Sequence, residues 1–328
     1  MIRVSIGTAG VLGLTQVPMS VAPTTAYLMV GGRCTMNCAF CAQARDSTAS
    51  DLALSRVTWP DFPLDEVCTR LREAEQRGDL RRCCIQVTAG REYVRRALDT
   101  VRRIRSAISM PLGIAILPAN IEQVARLFKA GVERIGFGLD AACERVFRQI
   151  KGSHWEPMMA SLRETARRFP GRAMVHLMVG LGETEREMVT RLVWAHDLWI
   201  CVGLFAFTPL RGTPLAEGSQ PPLDQYRRMQ AASWLISRHG ARLSDFVFGD
   251  APGERDALIG IALADWPGRL ADGGAFRTTG CPDCNRPFYN ERPGGTMYNY
   301  PRPLTVVEAR LAISEMEIER RYDGQLLC

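Results

Sequence analysis

The sequence predicts an α/β barrel, and three observations carry that reading. Strand-like apolar runs alternate with helix-like segments from Ala26 to Phe248, which requires a parallel sheet with right-handed crossovers. A chain of 328 residues with 46% hydrophobic composition can bury the single large core such a barrel needs. The first strand runs straight into a cysteine-rich loop, at the carboxyl end of a strand, where barrels of this class collect their reactive groups.

The elements follow in order. Residues Ala26 to Gly32 read as a buried strand, Asp65 to Arg77 as a helix, Arg82 to Ala89 as a strand, and Glu92 to Ile108 as a helix with outward arginines. Pro111 to Leu117 is a strand, Asn120 caps a helix through Ala130, and Arg134 to Leu139 is a strand ending at Asp140. Helices are predicted over Ala142 to Ile150 and Pro157 to Phe169, a strand over Arg172 to Val179, a helix over Glu183 to Leu198, and a strand over Val202 to Phe207. A helix over Leu223 to His239 and a weaker strand over Ala241 to Phe248 complete the repeat. Beyond Asp250 the expectation is a short helix over Gly253 to Ala264, a last strand over Ala275 to Thr279, an ordered loop over Cys281 to Pro303 and a charged helix over Leu304 to Arg321. The division expected is an N-terminal cap (1–25), a near-complete barrel (26–250) and an irregular C-terminal extension (251–328).

No apolar run reaches the roughly 18 to 20 residues that cross a bilayer. Met1 to Ala22 superficially resembles a weak signal peptide, but glycines, Gln16 and Pro18 interrupt its apolar core, so it reads as part of the fold. Eleven cysteines without a secretion signal point to a reducing, cytoplasmic setting. The net charge is +6 with only two lysines, Lys129 and Lys151, so nearly all positive charge is arginine. Genomic composition bias and attraction of an acidic protein partner both account for this. The arginines are scattered rather than interleaved with aromatics, which disfavours nucleic acid.

The central motif is Cys34, Cys38 and Cys41, spaced C-x3-C-x2-C, with Phe40 before the last cysteine. Three thiols so close do not make a disulfide framework. Zinc and iron–sulfur clusters normally take four protein ligands, so three leave a position open. A structural metal knuckle is the bland alternative. The motif resembles the signature of the radical S-adenosylmethionine (SAM) superfamily. That resemblance implies a 4Fe–4S cluster whose open iron is chelated by SAM, and cleavage of SAM to a 5'-deoxyadenosyl radical.

Other strand ends extend the likeness. Gly136 to Asp140, Val179 to Thr184, Arg211 to Ala216 and Arg242 to Ser244 look like segments of biotin synthase and its relatives. This implies SAM contacts at Phe40, Thr88 to Gly90, Asp140, and the turn Gly180, Gly182 and Glu183; a glycine turn with a capping carboxylate is the alternative for the last. Biotin synthases grip a polar ureido ring with asparagines where this chain has Gly136, Gly138 and a position near Phe205, so the pocket is expected to suit something greasier. Their barrel cysteines are mostly absent, Cys84 excepted.

A replacement is Cys281 and Cys284 in Gly-Cys-Pro-Asp-Cys-Asn-Arg-Pro, a metal-ligand spacing expected at the barrel mouth, with Cys84 or Cys328 as a further thiolate. An auxiliary iron–sulfur cluster that donates sulfur and a structural zinc site both suit it. Cys68, Cys83, Cys143 and Cys201 are read as passengers. His176 faces the interior by alternation, as a substrate or SAM contact or as a core histidine, and His154 beside Lys151 is either a contact of the SAM carboxylate or a residue of a solvated loop. Over its whole length the chain is similar to one subunit of the two-component lipoyl synthases. The likeness implies sulfur insertion into an octanoyl chain on a carrier protein, a second radical SAM subunit, and an electron donor such as flavodoxin or ferredoxin. The competing expectations are a divergent biotin synthase or another biotin synthase-like radical SAM enzyme, and a non-catalytic iron–sulfur electron-transfer or scaffold subunit.

Overall fold

The computed structural model describes residues 1–318, 321–322 and 325–326, except 119, 252, 253, 288, 292 and 293. Its centre is one sheet of eight strands: β1 (Ile2–Val4), β2 (Thr25–Val30), β3 (Asp61–Phe62), β4 (Arg82–Val87), β5 (Leu112–Ala115), β6 (Arg134–Asp140), β7 (Ala173–Val179) and β8 (Cys201–Ala206). The spatial order is β8-β7-β6-β5-β4-β2-β1-β3. The six strands from β2 to β8 in that order are mutually parallel, and β1 and β3 add to the β2 edge antiparallel.

Helices cover the outer face because each presents one apolar stripe to it. The third helix, Tyr93–Arg105, buries Ala97, Leu98, Val101 and Ile104 and leaves Arg95, Arg102 and Arg103 to solvent. Burying one such leucine or isoleucine contributes about 1.5–3 kcal/mol, so Leu98→Asp would detach this helix from the sheet. Asn120 does cap the next helix, accepting from the Gln123 N–H at 3.0 Å. Thr184 and Glu187 form a reciprocal capping box at the start of the helix Glu185–Asp197.

The sheet alone leaves a gap between β8 and β2, and the C-terminal segment fills it. On the β8 side, the Leu204 N–H donates to Thr279 Oγ1 at 2.8 Å and Asn290 Nδ2 donates to the Ala206 carbonyl at 2.8 Å. On the β2 side, the Thr24 N–H donates to Asn285 Oδ1 at 3.0 Å and the Arg286 N–H to the Tyr27 hydroxyl at 3.1 Å. The open edge of β8 is thereby covered by a loop rather than by a further strand, and the same loop reaches the start of β2, upstream of the residues that pair with β1.

Several expectations are corrected. The expected N-terminal cap supplies β1, and its Arg3, 6% exposed, reaches Gln43 Oε1 at 3.1 Å and the Gly31 carbonyl. The weak strand Ala241 to Phe248 becomes β9 (Phe246–Ala251), and the expected helix after it is instead β10 (Glu254–Ile261). These two form an antiparallel hairpin outside the main sheet. The expected strand Ala275 to Thr279 is a short 3-10 turn, Gly274–Phe276, with one isolated bridge from Arg277 to Tyr300. The last helix is shorter than expected, Val306–Ser314. Among the described residues no helix is long and apolar enough to cross a membrane.

Candidate functional site

Alternation along the parallel strands decides which side chains point inward. Tyr27, Cys84 and Gly113 share one register layer, and Gly136, Met174 and Cys201 share another. The cavity is about 560 Å³ and mainly apolar, with Met29, Ile114, Ile116, Met174, Met178, Phe205 and Phe207 in its wall.

The loop with Cys34, Cys38 and Cys41 roofs the carboxyl end of this cavity, and all three thiols line it. Its backbone is anchored on three sides. The Thr35 N–H donates to the Ala89 carbonyl at 2.9 Å, Ala39 N–H to Ile150 at 2.8 Å, and Leu215 N–H to the Ala39 carbonyl at 3.2 Å. Gly31, just before the loop, has φ of +105°, and a Cβ there would lie 2.2 Å from Thr88 Oγ1, so only glycine fits. Burial pushes the Cys41 thiol up to about 12, with the Cys38 charge adding to the effect; burial raises Cys38 as well, against the pull of Lys151. Three thiols on one short loop, two of them held back from ionising by burial, suit a cationic iron cluster, whose charge stabilises thiolates.

Beside the loop sits a buried ion pair. Lys151 Nζ donates to the Asp140 carboxylate and to the Gly138 carbonyl, and lies 5.9 Å from the Phe40 ring centre and 5.7 Å from that of Phe147. Burial works against the ammonium, but Asp140 and the Cys38 thiolate outweigh it and raise its pKa. Asp140 ends β6 in a left-handed conformation, φ +64°, which turns its carboxylate toward the cavity. Sequence reasoning named Asp140 and noted Lys151 but missed their pairing, which spans eleven residues across a helix.

The other expected SAM contacts divide. Phe40 and Thr88 line the cavity with Asp140. Gly90, Gly180, Gly182 and Glu183 are not among its lining residues. The Glu183 carboxylate is occupied by its own turn, accepting from the Gly180 N–H at 2.7 Å and the Leu181 N–H at 2.9 Å. Both His154 and His176 line the cavity, and His176 packs edge-on against Phe205 at 5.3 Å. Burial lowers the His176 pKa to about 4, so its imidazole is neutral at pH 7.

Cys281 and Cys284 also line this cavity, but not at the mouth. They sit at the amino-terminal end of the strands, because the loop that carries them runs from Thr279 beside β8, past Arg82 at the start of β4, to Arg286 against Tyr27 of β2. Cys281 Sγ lies 3.5 Å from Met174 Sδ, and Cys284 Sγ lies 3.3 Å from the Tyr27 hydroxyl. Cys84 is the third thiol at this end, with Gln86 Nε2 at 3.2 Å from its sulfur. Arg286 stacks on Phe205, 4.0 Å from guanidinium carbon to ring centre. Cys328 lies outside the described residues. Among the described residues no three His, Cys, Asp or Glu groups close on a point as the ligands of one ion do; this holds for the loop trio and for the lower thiols alike.

This chain is similar to known proteins over the same region. The biotin synthase of Picosynechococcus sp. is 28% identical over 209 residues, covering 61% of this chain and 54% of that protein. Biotin synthase 2 of Corynebacterium diphtheriae is 28% identical over 208 residues, covering 61% and 60%. The chain thus spans little more than half the length of these relatives. Among solved structures, the hydrogenase maturase HydG aligns with a TM-score of 0.51 at 11% identity, over 65% of this chain and 50% of that one, a likeness of fold alone. The sequence pattern that matches residues 28–194, about half the chain, begins in β2, takes in the three-thiol loop and the wall around it, and ends in the helix after β7; by that match the chain belongs to the radical SAM superfamily.

Proposed function

We propose that this protein inserts sulfur into an unactivated C–H bond of an apolar chain, with a protein-bound octanoyl group as the substrate and a lipoyl group as the product. The observation that carries this reading is the placement of thiols at both ends of one greasy cavity: Cys34, Cys38 and Cys41 above, Cys84, Cys281 and Cys284 below. The upper trio fits the 4Fe–4S cluster and SAM of the superfamily, and the lower thiols fit an auxiliary iron–sulfur cluster as sulfur donor. When bound, cluster and SAM supply a 5'-deoxyadenosyl radical able to take hydrogen from a methylene.

The chain's own residues then have limited tasks. Asp140 and Lys151 offer a carboxylate and an ammonium to the polar groups of SAM, and the Met, Ile and Phe wall aligns an alkyl chain and excludes water. A hydrocarbon C–H has no acid–base handle, so no general base is required for hydrogen removal. The wall argues against a ureido ring, because Gly136 and Gly138 offer no side-chain partners and each unpaired buried group costs about 1–3 kcal/mol. For an acidic carrier the arginine-rich exterior is weaker support than its count suggests. Arg95, Arg102, Arg103, Arg148 and Arg167 all pair with neighbouring carboxylates. A second subunit, a flavodoxin- or ferredoxin-like donor and a reducing cytoplasm complete the proposal.

A second reading, a divergent biotin synthase, is favoured by the 28% identity to those enzymes. Anaerobic reconstitution followed by mass spectrometry on an octanoylated peptide and on dethiobiotin separates the two. Sulfur on the peptide supports lipoyl synthesis, whereas sulfur on dethiobiotin alone refutes it. Absence of 5'-deoxyadenosine in every mixture supports a non-catalytic scaffold or electron carrier.

A further inference from the structure

Cys201 opens β8 and, by strand alternation, shares a face with Gly203 and Phe205. That face is the interior one. Phe205 lines the cavity, and a Cβ on Gly203 would meet the Met174 methyl at 3.0 Å and Arg286 Nη1 at 3.3 Å, both cavity residues. Cys201 therefore projects inward at the amino-terminal end, in register with Met174 on β7. The same Met174 carries Cys281 on its sulfur at 3.5 Å, and the preceding Gly280 sits over Gly203, where its Cβ position is 3.6 Å from the Gly203 Cα. The loop thus brings Cys281 directly beside the start of β8.

The remaining thiols link up around it. Cys84 pairs in register with Tyr27, whose hydroxyl lies 3.3 Å from Cys284 Sγ, and Cys84, Cys281 and Cys284 line the same end of the cavity. Three arginines surround the group. Arg134 lines the cavity, Arg82 Nε donates to the Pro282 carbonyl at 3.1 Å between the two loop cysteines, and Arg286 Nη2 donates to the Thr279 carbonyl at 2.8 Å. Such a collar offsets the negative charge of several thiolates.

We infer that Cys201 is the fourth thiolate of the lower site, so that Cys84, Cys201, Cys281 and Cys284 together hold one iron–sulfur cluster at the amino-terminal end of the barrel without recourse to Cys328. The inference rests on the reading that Cys281 and Cys284 hold iron and sulfide. It adds that the fourth ligand comes from the edge strand against which the loop is packed. Four thiolates are the usual complement for such a cluster, whereas the upper trio leaves one position for SAM.

The test uses the full chain with Cys34, Cys38 and Cys41 all changed to Ala, reconstituted anaerobically with iron and sulfide so that only the lower site can fill. Iron and sulfide are counted and the reduced protein is examined by electron paramagnetic resonance. Adding Cys201→Ala is expected to abolish the remaining iron and sulfide, and Cys201→Ser to retain part of it with a shifted spectrum. Cys83→Ala, at a buried neighbour pointing into the helix layer, is expected to change nothing and controls for folding, together with circular dichroism of every variant. A full cluster with an unaltered spectrum in Cys201→Ala overturns the assignment of Cys201 while leaving the lower cluster in place. No iron in the triple variant itself overturns the underlying reading instead.

Discussion

The Tyr27 hydroxyl lies 3.3 Å from Cys284 Sγ and accepts the Arg286 N–H at 3.1 Å, so one phenol on the first parallel strand ties down the loop that closes the barrel. Its oxygen accepts from Arg286, and the contact with the sulfur is made through either the O–H or the S–H proton. Tyr27→Phe removes both interactions without changing the ring. The half-buried Arg286 N–H then loses its partner, and a loss of about 0.5–1.5 kcal/mol is expected in urea unfolding of the cluster-free protein. An unchanged midpoint would show that the loop is held by its other contacts alone.

Lys151→Met leaves the Asp140 carboxylate buried without its partner beside the three-thiol loop. Removing one member of such a pair typically costs about 3–5 kcal/mol, whereas replacing both with apolar residues is far milder. Denaturant unfolding should therefore show Lys151→Met as less stable than the double variant Lys151→Met with Asp140→Leu. Both are expected to lose SAM affinity by equilibrium binding, which separates the stabilising role of the pair from its role toward ligand.

His176 gives the cavity a pH signature. Its ordinary pKa of 6.5 falls to about 4 in the folded chain, because burial penalises the imidazolium more than Asp140 supports it. The unfolded chain takes up a proton first as pH falls, so the stability associated with the neutral ring is intact above pH 6.5 and is lost between 6.5 and about 4. The loss is at most about 3 kcal/mol, and less if water enters the cavity the ring faces. His176→Phe is expected to flatten this part of the stability–pH curve. A parallel decline in wild type and variant would place the titration elsewhere.

The parallel strands were legible because each is an apolar run at a regular interval, and β6 and β7 lie within one residue of their expected bounds. The three-thiol loop was legible for a similar reason, as its spacing is local. Three-residue β1 was not, since so short a run has no period to detect. The stretch Glu254–Ile261 carries alanine, leucine and isoleucine that suit a helix as well as a strand, and pairing with β9 decides the matter. The expected start of β8 fell one residue short of Cys201. Starting the strand at Val202 leaves the cysteine outside the alternation that otherwise sets it on the face of Gly203 and Phe205. The placement of Cys281 and Cys284 below rather than above follows from a loop substituting for strands, which no local pattern records.

Gly136 provides the sharpest test of what the cavity accepts. It lies midway along β6, faces the interior, and a Cβ there would meet Ala115 Cβ at an ordinary 3.5 Å, so a larger side chain is sterically admitted. Gly136→Asn places an amide in a wall that is mainly apolar, with Ile114, Ile116, Met174 and Phe205 among its members. If an alkyl chain lies along that wall, the amide loses water without gaining a partner. A cost of about 1–3 kcal/mol then lowers kcat/KM for an octanoylated peptide by roughly 5- to 150-fold. A substrate bearing a polar ring should suffer no such penalty. Global stability should change little, and 5'-deoxyadenosine formation uncoupled from thiolation should persist, because the three-thiol loop is untouched. Undiminished turnover of the octanoylated peptide would mean that the acyl chain does not pass β6, and the apolar wall would lose its place in the argument for substrate class.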